Sequence, residues 1–517
     1  MLIPVPVYTT TMKPVIEAAR LLRAESTKFR TVRGWMIALS VAAVVLVLVS
    51  FFSAFESRSG NTSVPTGPGG EAVTDTYTFV HQELAGDGTL TARVTSLAGE
   101  YSSPHAPAGA VSTSPDGAQD SQLEEGLAPW AKAGIILEPH TSQGTRYAAV
   151  MVTGSHGVQM QYNYTHDSPG LSGTVGPSSP RWLRLTRAGD VITGYDSADG
   201  VRWNEISAVR LTGLPRTVQI GLFVTSPVYF TSGTSVEGTP SVATAAFDHI
   251  SVRGELPRGS WTEDAIAGSA PSTWQQRSAG AFTISGSGDI APLVGGEGAA
   301  THWSGASVVN GTIVALLFVI GLAALSVTSE YRRGLIRATF AASPHRGRVL
   351  AAKAAVAGSL AFAAGAIATA IAEVVTRHVF AANGNYLFPQ SGADLARVII
   401  GMGLFLGLAA ALAVAVGSIL RRSAGTVAVG IVLLVLPGIL ATAMGLPAGI
   451  DSWLMRLSPD AAFAIQATLP RYSQVTGAYI PANGYFPISP WAGLAVLAAY
   501  TAAALGAAVW LVRRRDA

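Results

Sequence analysis

Six long apolar stretches, almost free of charged residues, constrain this chain more than any other feature of its sequence. A helix needs about 20 apolar residues to cross the hydrocarbon core of a bilayer, and a charge near its centre costs roughly 2.5 to 3.5 kcal/mol. The stretches that meet this requirement are residues 35–55, 308–328, 354–375, 398–420, 426–446 and 491–512. They predict an α-helical polytopic membrane protein with six transmembrane helices.

The composition agrees with a membrane location. Only 13% of the 517 residues are charged, whereas 49% are hydrophobic, a balance that a wholly soluble chain of this size does not show. The chain has no cysteine, which excludes disulfides, cysteine-ligated zinc and thiol nucleophiles. The net charge is only +3 and the basic residues form no single patch, so nucleic-acid binding is not expected. The preference for arginine over lysine indicates a high-GC bacterial gene.

Basic residues flank the predicted helices unevenly. Lysine and arginine in short loops and flanks resist translocation and therefore mark the cytoplasmic side. One set of flanks holds Lys13, Arg20, Arg23, Lys28, Arg30, Arg33, Arg332, Arg333, Arg337, Arg346, Arg348, Lys353, Arg421, Arg422, Arg513, Arg514 and Arg515. The opposite short loops hold Arg377, Arg397, Arg456 and Arg471. This asymmetry predicts that both termini are cytoplasmic and that residues 57–303 lie outside the cell membrane.

Residues 57–303 differ from the rest of the chain in composition and in the pattern of their apolar residues. Residues 57–74 are mostly Gly, Ser, Thr and Pro and predict a linker. Short runs rich in β-branched and aromatic residues follow at 89–97, 134–137, 147–153, 158–164, 182–186, 191–195, 218–224 and 244–252. Because no helical interval separates these runs, they predict an antiparallel β-sandwich. Asp199 and Gly200 predict the turn of a hairpin within it.

Three parts of this region resemble the back half of a concanavalin-like, laminin-G-like jelly roll. They are residues 182–187, the Ser-x-Asp-Gly-x-x-Trp hairpin that ends at Trp203, and residues 218–224 followed by 247–252. The resemblance covers about residues 76–254 and implies an inserted all-β jelly-roll sandwich. Such folds often bind sugars, which makes Trp130, Trp182 and Trp203 candidate stacking platforms for a cell-wall glycan. Aromatic residues in strands also pack in cores and on sheet faces, and both interpretations stay open.

The acidic and histidine residues of this outside region show no pattern of a catalytic or metal-binding site. Its carboxylates have no spacing that marks the paired acids of a glycosidase. Its histidines are scattered singly, without the rhythm of metal ligands. No catalytic residue and no metal site are therefore predicted. Loop carboxylates such as Asp116, Asp120 or Asp289 leave a calcium ion as an open alternative, without the spacing of an EF-hand.

An amphipathic helix is predicted directly before the first transmembrane stretch, beginning at Pro14. Its apolar side holds Val15, Ile16, Ala19 and Leu22, and its polar side holds Glu17, Arg20, Arg23 and Thr27. This pattern is typical of an elbow helix that lies on the inner surface of the bilayer.

The loop after the second stretch carries the most functional information. It reads E-Y-R-R-G-L-I-R-A-T over residues 330–339 and A-S-P-H-R over residues 342–346. Topology alone would explain the arginines, but the order of residues resembles this loop in the membrane subunits of ABC transporters, in the exporter class with six spans and an elbow helix. The resemblance covers about residues 14–56 and 305–515, and the long insertion after the first span departs from the commonest pattern.

The resemblance implies a permease that has no ATP-hydrolysing domain of its own. The lysines are Lys13, Lys28, Lys132 and Lys353, and none follows a glycine, so the chain has no phosphate-binding loop of the form G-x-x-x-x-G-K-[ST]. A separate ABC ATPase subunit would hydrolyse ATP, and a second permease copy or a paralogue would complete the pathway. The implied ATPase-coupling surface is Glu330, Tyr331, Arg332, Arg333, Gly334 and Arg337, with Glu17, Arg20 and Arg23 beside it. No enzyme activity and no cofactor are expected of this chain.

The expected organisation is therefore a cytoplasmic amino terminus over 1–33, a first transmembrane helix over 34–56, an outside region over 57–303, and helices two to six over 304–517. The leading function is an ATP-driven exporter. The alternative is a membrane-anchored protein that binds or senses glycan through the jelly roll. A membrane-embedded glycosyltransferase is disfavoured because no acidic cluster stands at a membrane edge.

Three features within the predicted helices complete the expectations. Glu373 is the one acid in a span, and Arg377 lies one turn further on. Gly401, Gly403 and Gly407 permit close helix packing. Pro437 predicts a kink in the fifth helix.

Overall fold

The computed structural model describes residues 13–56, 64–102, 123–230, 238–269, 272–277, 280–294, 306–342, 345–443, 450–468, 470–475, 479 and 485–515. The chain divides into two compact units. The membrane unit comprises Met1–Thr62, Ala300–Leu469 and Tyr479–Ala517, and the β unit comprises Ser63–Ala299 and Pro470–Ala478. Residues 57–63, most of the first half of the predicted linker, lie outside the described residues.

The helices of the membrane unit follow the apolar stretches of the sequence. They are α1 (Lys13–Thr31), α2 (Arg33–Glu56), α3 (Ala306–Arg332), α4 (Leu335–Ala342), α5 (Arg346–Ala382), α6 (Gly392–Leu420), α7 (Ser423–Leu434), α8 (Leu436–Ala443), α9 (Ile450–Leu457) and α10 (Pro490–Arg515), with a 3-10 helix at Pro459–Gln466. Within the described part of the chain, five of these helices are long and apolar enough to cross a membrane, namely α2, α3, α5, α6 and α10.

The stretch predicted as the fifth span is not one continuous helix. Helix α7 ends at Leu434 and α8 begins at Leu436. Pro437 lacks an N–H and cannot donate to the carbonyl four residues before it, so the hydrogen-bond ladder is interrupted at this point. The expected kink is therefore a break, and in the described part of the chain the short helices α7 and α8 stand where the sequence predicted one long span.

Helices α5 and α6 pack with their backbones in close contact. A Cβ atom at Gly407 would lie 2.8 Å from the carbonyl oxygen of Gly358, and one at Gly403 would lie 2.9 Å from that of Phe362. Side chains larger than hydrogen do not fit at these positions, which confirms the packing role predicted for both glycines. Around this contact the bundle buries a core that includes Phe405.

The β unit is built from short antiparallel strands with two long exceptions. The strands are β1 (Val73–Asp75), β2 (Tyr77–Ser102), β3 (Leu123–Glu125), β4 (Lys132–Glu138), β5 (Ala148–Thr153), β6 (Val158–Tyr162), β7 (His166–Pro169), β8 (Arg181–Ala188), β9 (Val191–Ser197), β10 (Asn204–Arg210), β11 (Thr217–Thr225), β12 (Tyr229–Phe230), β13 (Gly238–Thr239), β14 (Ser241–Glu255), β15 (Thr262–Ile266), β16 (Thr273–Arg277), β17 (Ala281–Gly286) and β18 (Ile290–Pro292).

Strand β2 belongs to both layers of the fold. Its first half pairs with β11 and β15, and its second half pairs with β8 and β14. One layer therefore runs β15-β2-β11-β4-β5-β6-β7, and the other runs β10-β9-β8-β2-β14-β17-β16. A long strand that passes from one layer to the other is a common corner of β-sandwiches.

The two layers share one apolar core. Ile135 and Val150 of the first layer pack in it with Leu183, Ile192 and Phe247 of the second. A second cluster, with Tyr77, Phe79 and Phe223, covers the opposite face of the first layer. Both faces of that layer are thus covered, and every residue of β4 is buried.

The sheet also continues beyond Gly254, where the sequence predicted only a flanking linker. Strands β15, β16 and β17 pair with β2, with β17 and with β14, and β18 pairs with β1. These strands are only 3 to 6 residues long, so each is too short to show a clear pattern in the sequence.

Candidate functional site

Four charged side chains of the membrane unit meet at the ends of three helices. Lys353, near the start of α5, donates to Glu330 Oε1 at 2.7 Å and to Glu25 Oε2 at 2.9 Å. Lys28 donates to Glu25 Oε1 at 2.8 Å and lies 3.7 Å from Glu330 Oε1. We call these four residues the charge cluster. It contains two acids and two bases, so its formal charges balance.

The charge cluster is largely excluded from water. The side chains of Glu25, Glu330 and Lys353 are 7%, 8% and 7% exposed, and only Lys28, at 41%, reaches solvent. Burial alone would raise the pKa of Glu25, but the ammonium groups of Lys353 and Lys28 lower this pKa below its usual value. Burial likewise opposes the charge of Lys28, yet its two acidic neighbours raise its pKa. Both residues of α1 are therefore held in their charged forms.

The local sequence explains how these side chains reach one another. Glu25 and Lys28 are three residues apart and lie on one face of α1. Phe29, on the same side, is buried against Leu39, Leu322 and Val356. The buried face of α1 is thus built around Glu25 and Phe29, whereas Leu22, which the sequence placed on the apolar side, is 41% exposed.

The six residues predicted as the ATPase-coupling surface differ in their exposure to solvent. Glu330 points inward to the charge cluster, and the guanidinium of Arg421 lies 4.9 Å from the ring of Tyr331. Arg332, Arg333 and Gly334 are exposed. Gly334, at φ +69°, provides the turn that ends α3 and begins α4. Arg337 belongs to α4, and its side chain lies outside the described residues.

The three predicted elbow residues are only partly described. Arg20 and Arg23 are exposed on α1, and the side chain of Glu17 lies outside the described residues. Sequence reasoning missed Glu25, Lys28 and Lys353 as partners of Glu330. The one local signal was the three-residue spacing of Glu25 and Lys28, because Lys353 is 328 residues away from Glu25 in the chain.

The three candidate tryptophans of the β unit have unequal surroundings. Trp130 is 3% exposed and stacks on His156 with ring centroids 4.0 Å apart, so it offers no open face to a sugar. Trp203 is covered on one face by the guanidinium of Arg184, 3.7 Å from the ring centroid. Trp182 lies beside Arg93, whose guanidinium is 5.5 Å from its ring. Trp182, in β8, and Trp203, directly before β10, are both half-buried.

A buried polar network within the β unit was not anticipated. Gln161 Nε2 donates to Gln474 Oε1 at 2.7 Å and to Asp167 Oδ1 at 2.9 Å, and Tyr147 donates to Gln161 Oε1 at 2.8 Å. Gln474 also donates to the carbonyl oxygen of Tyr164. Gln474 is fully buried although it comes from segment 470–478, so no local pattern could have indicated its position.

Among the residues that the structure describes, two carboxyl groups near this network are buried without a basic partner. Asp75 Oδ2 accepts from Tyr164 Oη at 2.7 Å and from the Gly144 N–H at 2.9 Å, and burial raises the pKa of Asp75 to about 6. Glu138 Oε2 accepts from Tyr77 Oη at 2.7 Å, and burial raises the pKa of Glu138 well above its usual value. These groups stabilise the layer through hydrogen bonds from tyrosines. Among the described residues, no three acidic or histidine side chains are placed to hold a metal ion.

A family model from the comparison with known proteins spans most of the chain. A family model described as "ABC-2 family transporter protein" matches residues 28–517. No curated protein matches the chain.

Solved structures match only weakly. A functionally unknown protein from Saccharomyces cerevisiae is 16% identical, with 38% of this chain and 83% of that chain covered and a TM-score of 0.23. Scytalido-glutamic peptidase with a transition state analog inhibitor is 10% identical, with 43% and 100% covered and a TM-score of 0.27. Such low TM-scores carry no argument about this chain.

Proposed function

The chain belongs to the ABC-2 family of transporter proteins, and on that premise we propose that Arg332 and Arg333 contact the ATPase subunit that powers transport. Members of this family are multi-pass membrane subunits without catalysis of their own, and a separate ATPase uses the ATP. The chain is therefore the membrane subunit of such a transporter. Its sequence supplies no phosphate-binding loop, in agreement with this division of labour.

The charge cluster is the observation that supports this coupling role. Arg332 and Arg333 follow Glu330 directly, and Glu330 is hydrogen-bonded to Lys353 of α5, which also holds Glu25 of α1. A displacement of the exposed turn therefore acts on three helices together. ATP-driven closure of the partner ATPase would bias the helices between two arrangements, open to one side or to the other.

The wider arrangement that we propose follows the charge asymmetry of the sequence. The basic helix ends and both termini face the cytoplasm, and the β unit, a jelly-roll type of sandwich, lies outside the cell membrane. Helices α7 and α8 together supply a sixth crossing, interrupted at Pro437. Six crossings make half of a transport pathway, so a second copy or a paralogue completes it, and the elbow-helix pattern favours export.

Copurification tests the coupling proposal. The full chain is coexpressed with its candidate ATPase. The variant under test carries Arg332→Glu and Arg333→Glu. The matched control carries Arg513→Glu and Arg514→Glu, which reverse two exposed charges at the end of α10. We expect the first pair to lose the ATPase and to abolish stimulation of its activity in membranes, and the control to keep both. Unchanged copurification and activity in the first pair would remove the basis of the proposal.

A further inference from the structure

A cavity of about 700 Å³ opens in the membrane unit where α1, α2, α3 and α4 come together. Lys28, Arg332 and Arg333 contribute the basic part of its lining, and Trp35 and Leu325 contribute apolar surface. This volume lies within the range of small-molecule sites in proteins. The cavity therefore combines positive charge with an apolar wall at the end of a transmembrane helix.

A second, more open groove of about 520 Å³ lies along α3 and α7. Its walls are apolar and include Gly321, Val427 and Ile431. The two spaces meet at Leu325, which lines both and is 48% exposed. A Cβ atom at Gly321 would meet no other group within 4 Å, so this glycine leaves the groove open.

One face of α3 lines both spaces. Gly321, Leu325 and Ser329 are each four residues apart, and Arg332 follows three residues later. This spacing places all four on a single stripe of the helix. The stripe changes from apolar to basic as it approaches the end of α3.

The electrostatics of the cavity favour an anion. Among the described residues, the exposed guanidinium groups of Arg332 and Arg333 have no hydrogen-bond or ion-pair partner. The acid in the cavity wall, Glu330, is already bound by Lys353 at 2.7 Å. In the membrane subunit without bound ATPase, the arginines are thus available to a phosphate group, which guanidinium binds through paired hydrogen bonds.

We propose that the joined cavity and groove bind one anionic glycerophospholipid. Its phosphate contacts Lys28, Arg332 and Arg333, and one acyl chain lies in the groove between α3 and α7. Basic cavities between transmembrane helices are typical sites for anionic headgroups, and here the apolar groove leads away from the basic cavity as an acyl chain leads away from a headgroup. The lipid proposal rests on the proposed membrane orientation in one respect only: the orientation decides which leaflet supplies the lipid.

Native mass spectrometry of the full chain, purified without any ATPase in a neutral detergent, tests this site. The probes are phosphatidylglycerol, phosphatidylcholine and inorganic phosphate. We expect one phosphatidylglycerol to bind in preference to phosphatidylcholine, and Arg332→Gln with Arg333→Gln to reduce this preference roughly 10- to 30-fold, since each basic residue near a membrane surface contributes roughly fivefold. Arg30→Gln with Arg33→Gln removes two exposed charges that do not line the cavity and should leave the preference unchanged.

A second pair of variants tests the acyl groove independently of charge. Gly321→Leu fills the groove and should weaken the binding of both lipids, whereas Gly506→Leu, at another open glycine position on α10, should not. Equal binding of lipid by the wild type and Gly321→Leu, or displacement of phosphatidylglycerol by inorganic phosphate, would show a phosphate site and overturn the lipid proposal. An unchanged preference after loss of both arginines would overturn it as well. Because no ATPase is present, these outcomes are independent of the coupling test.

Discussion

The Lys353 ammonium donates a hydrogen bond to Glu330 Oε1 at 2.7 Å and so joins the start of α5 to the last turn of α3. The same ammonium holds Glu25 of α1 at 2.9 Å. One buried cation thus separates two buried carboxylates that would otherwise repel each other. Removing one partner from a buried ion pair costs far more than the pair contributes in net stability, because it leaves an unpaired charge without water.

The first prediction concerns this cation. Lys353→Met should destabilise the membrane unit by about 3 to 5 kcal/mol, because Glu25 and Glu330 would then share only the half-exposed Lys28. Lys353→Arg keeps the charge and should lose much less. Thermal unfolding of the purified chain in detergent, followed by helical circular dichroism, measures the difference. A methionine variant that unfolds at the wild-type temperature would show that the charge cluster does not hold these helices.

The second prediction concerns the contact between α5 and α6. Gly407→Ala should destabilise the bundle by about 1 to 3 kcal/mol, because the new methyl group would overlap the carbonyl oxygen of Gly358 and the helices would have to separate. Gly506→Ala adds the same methyl group at an open position and should be neutral or slightly stabilising, since alanine favours helix more than glycine does. The two variants are compared by thermal unfolding. Equal unfolding temperatures would mean that the backbones are not in close contact.

The extent to which sequence predicts this structure depends on how local each signal is. The apolar stretches at residues 35–55 and 398–420 correspond to α2 and α6. A membrane-spanning helix needs only sufficient length and an apolar composition, and both can be read from the stretch itself. The run 218–224 lies within β11, and the predicted turn at Asp199 and Gly200 joins β9 to β10. These elements need no information from elsewhere in the chain.

Other features depend on partners that are remote in sequence. The pairing of Lys353 with Glu25 joins residues 328 positions apart, and Gln161 meets Gln474 across 313 positions. No spacing or periodicity records such contacts. Glu330 shows the consequence: an acid beside arginines in a short polar loop predicts exposure, whereas its side chain is buried because Lys353 is present.

The third prediction concerns Gln474. Gln474→Ala should weaken the local stability of the first layer by about 1 to 3 kcal/mol, because the buried Gln161 amide and the Tyr164 carbonyl would each lose a partner. Ser473→Ala is the matched control, since this exposed hydroxyl lies 3.5 Å from Asp167 and contributes little. Hydrogen–deuterium exchange of the full chain measures protection in β6. Equal protection of β6 in wild type and Gln474→Ala would contradict a stabilising role for this segment.

The fourth prediction is a pH dependence set by Asp75. Burial raises the pKa of this carboxyl from its ordinary value of 3.8 to about 6. Between these two values the folded β unit binds a proton that the unfolded chain has released, so folding is favoured more as the pH falls from about 6 to about 4. The shift corresponds to about 3 kcal/mol of stability, present at the acidic end of this window and lost as the pH rises through about 6.

Asp75→Asn tests this assignment, because an amide oxygen can still accept from Tyr164 and from the Gly144 N–H but cannot ionise. Thermal unfolding of the full chain, followed by the circular dichroism of the sheet at pH values from 4 to about 7, should show a shallower pH dependence in this variant than in wild type. A residual slope of the same sign is expected, because burial also raises the pKa of Glu138 and Asp167. An identical slope in the two proteins would mean that Asp75 is not the group that titrates.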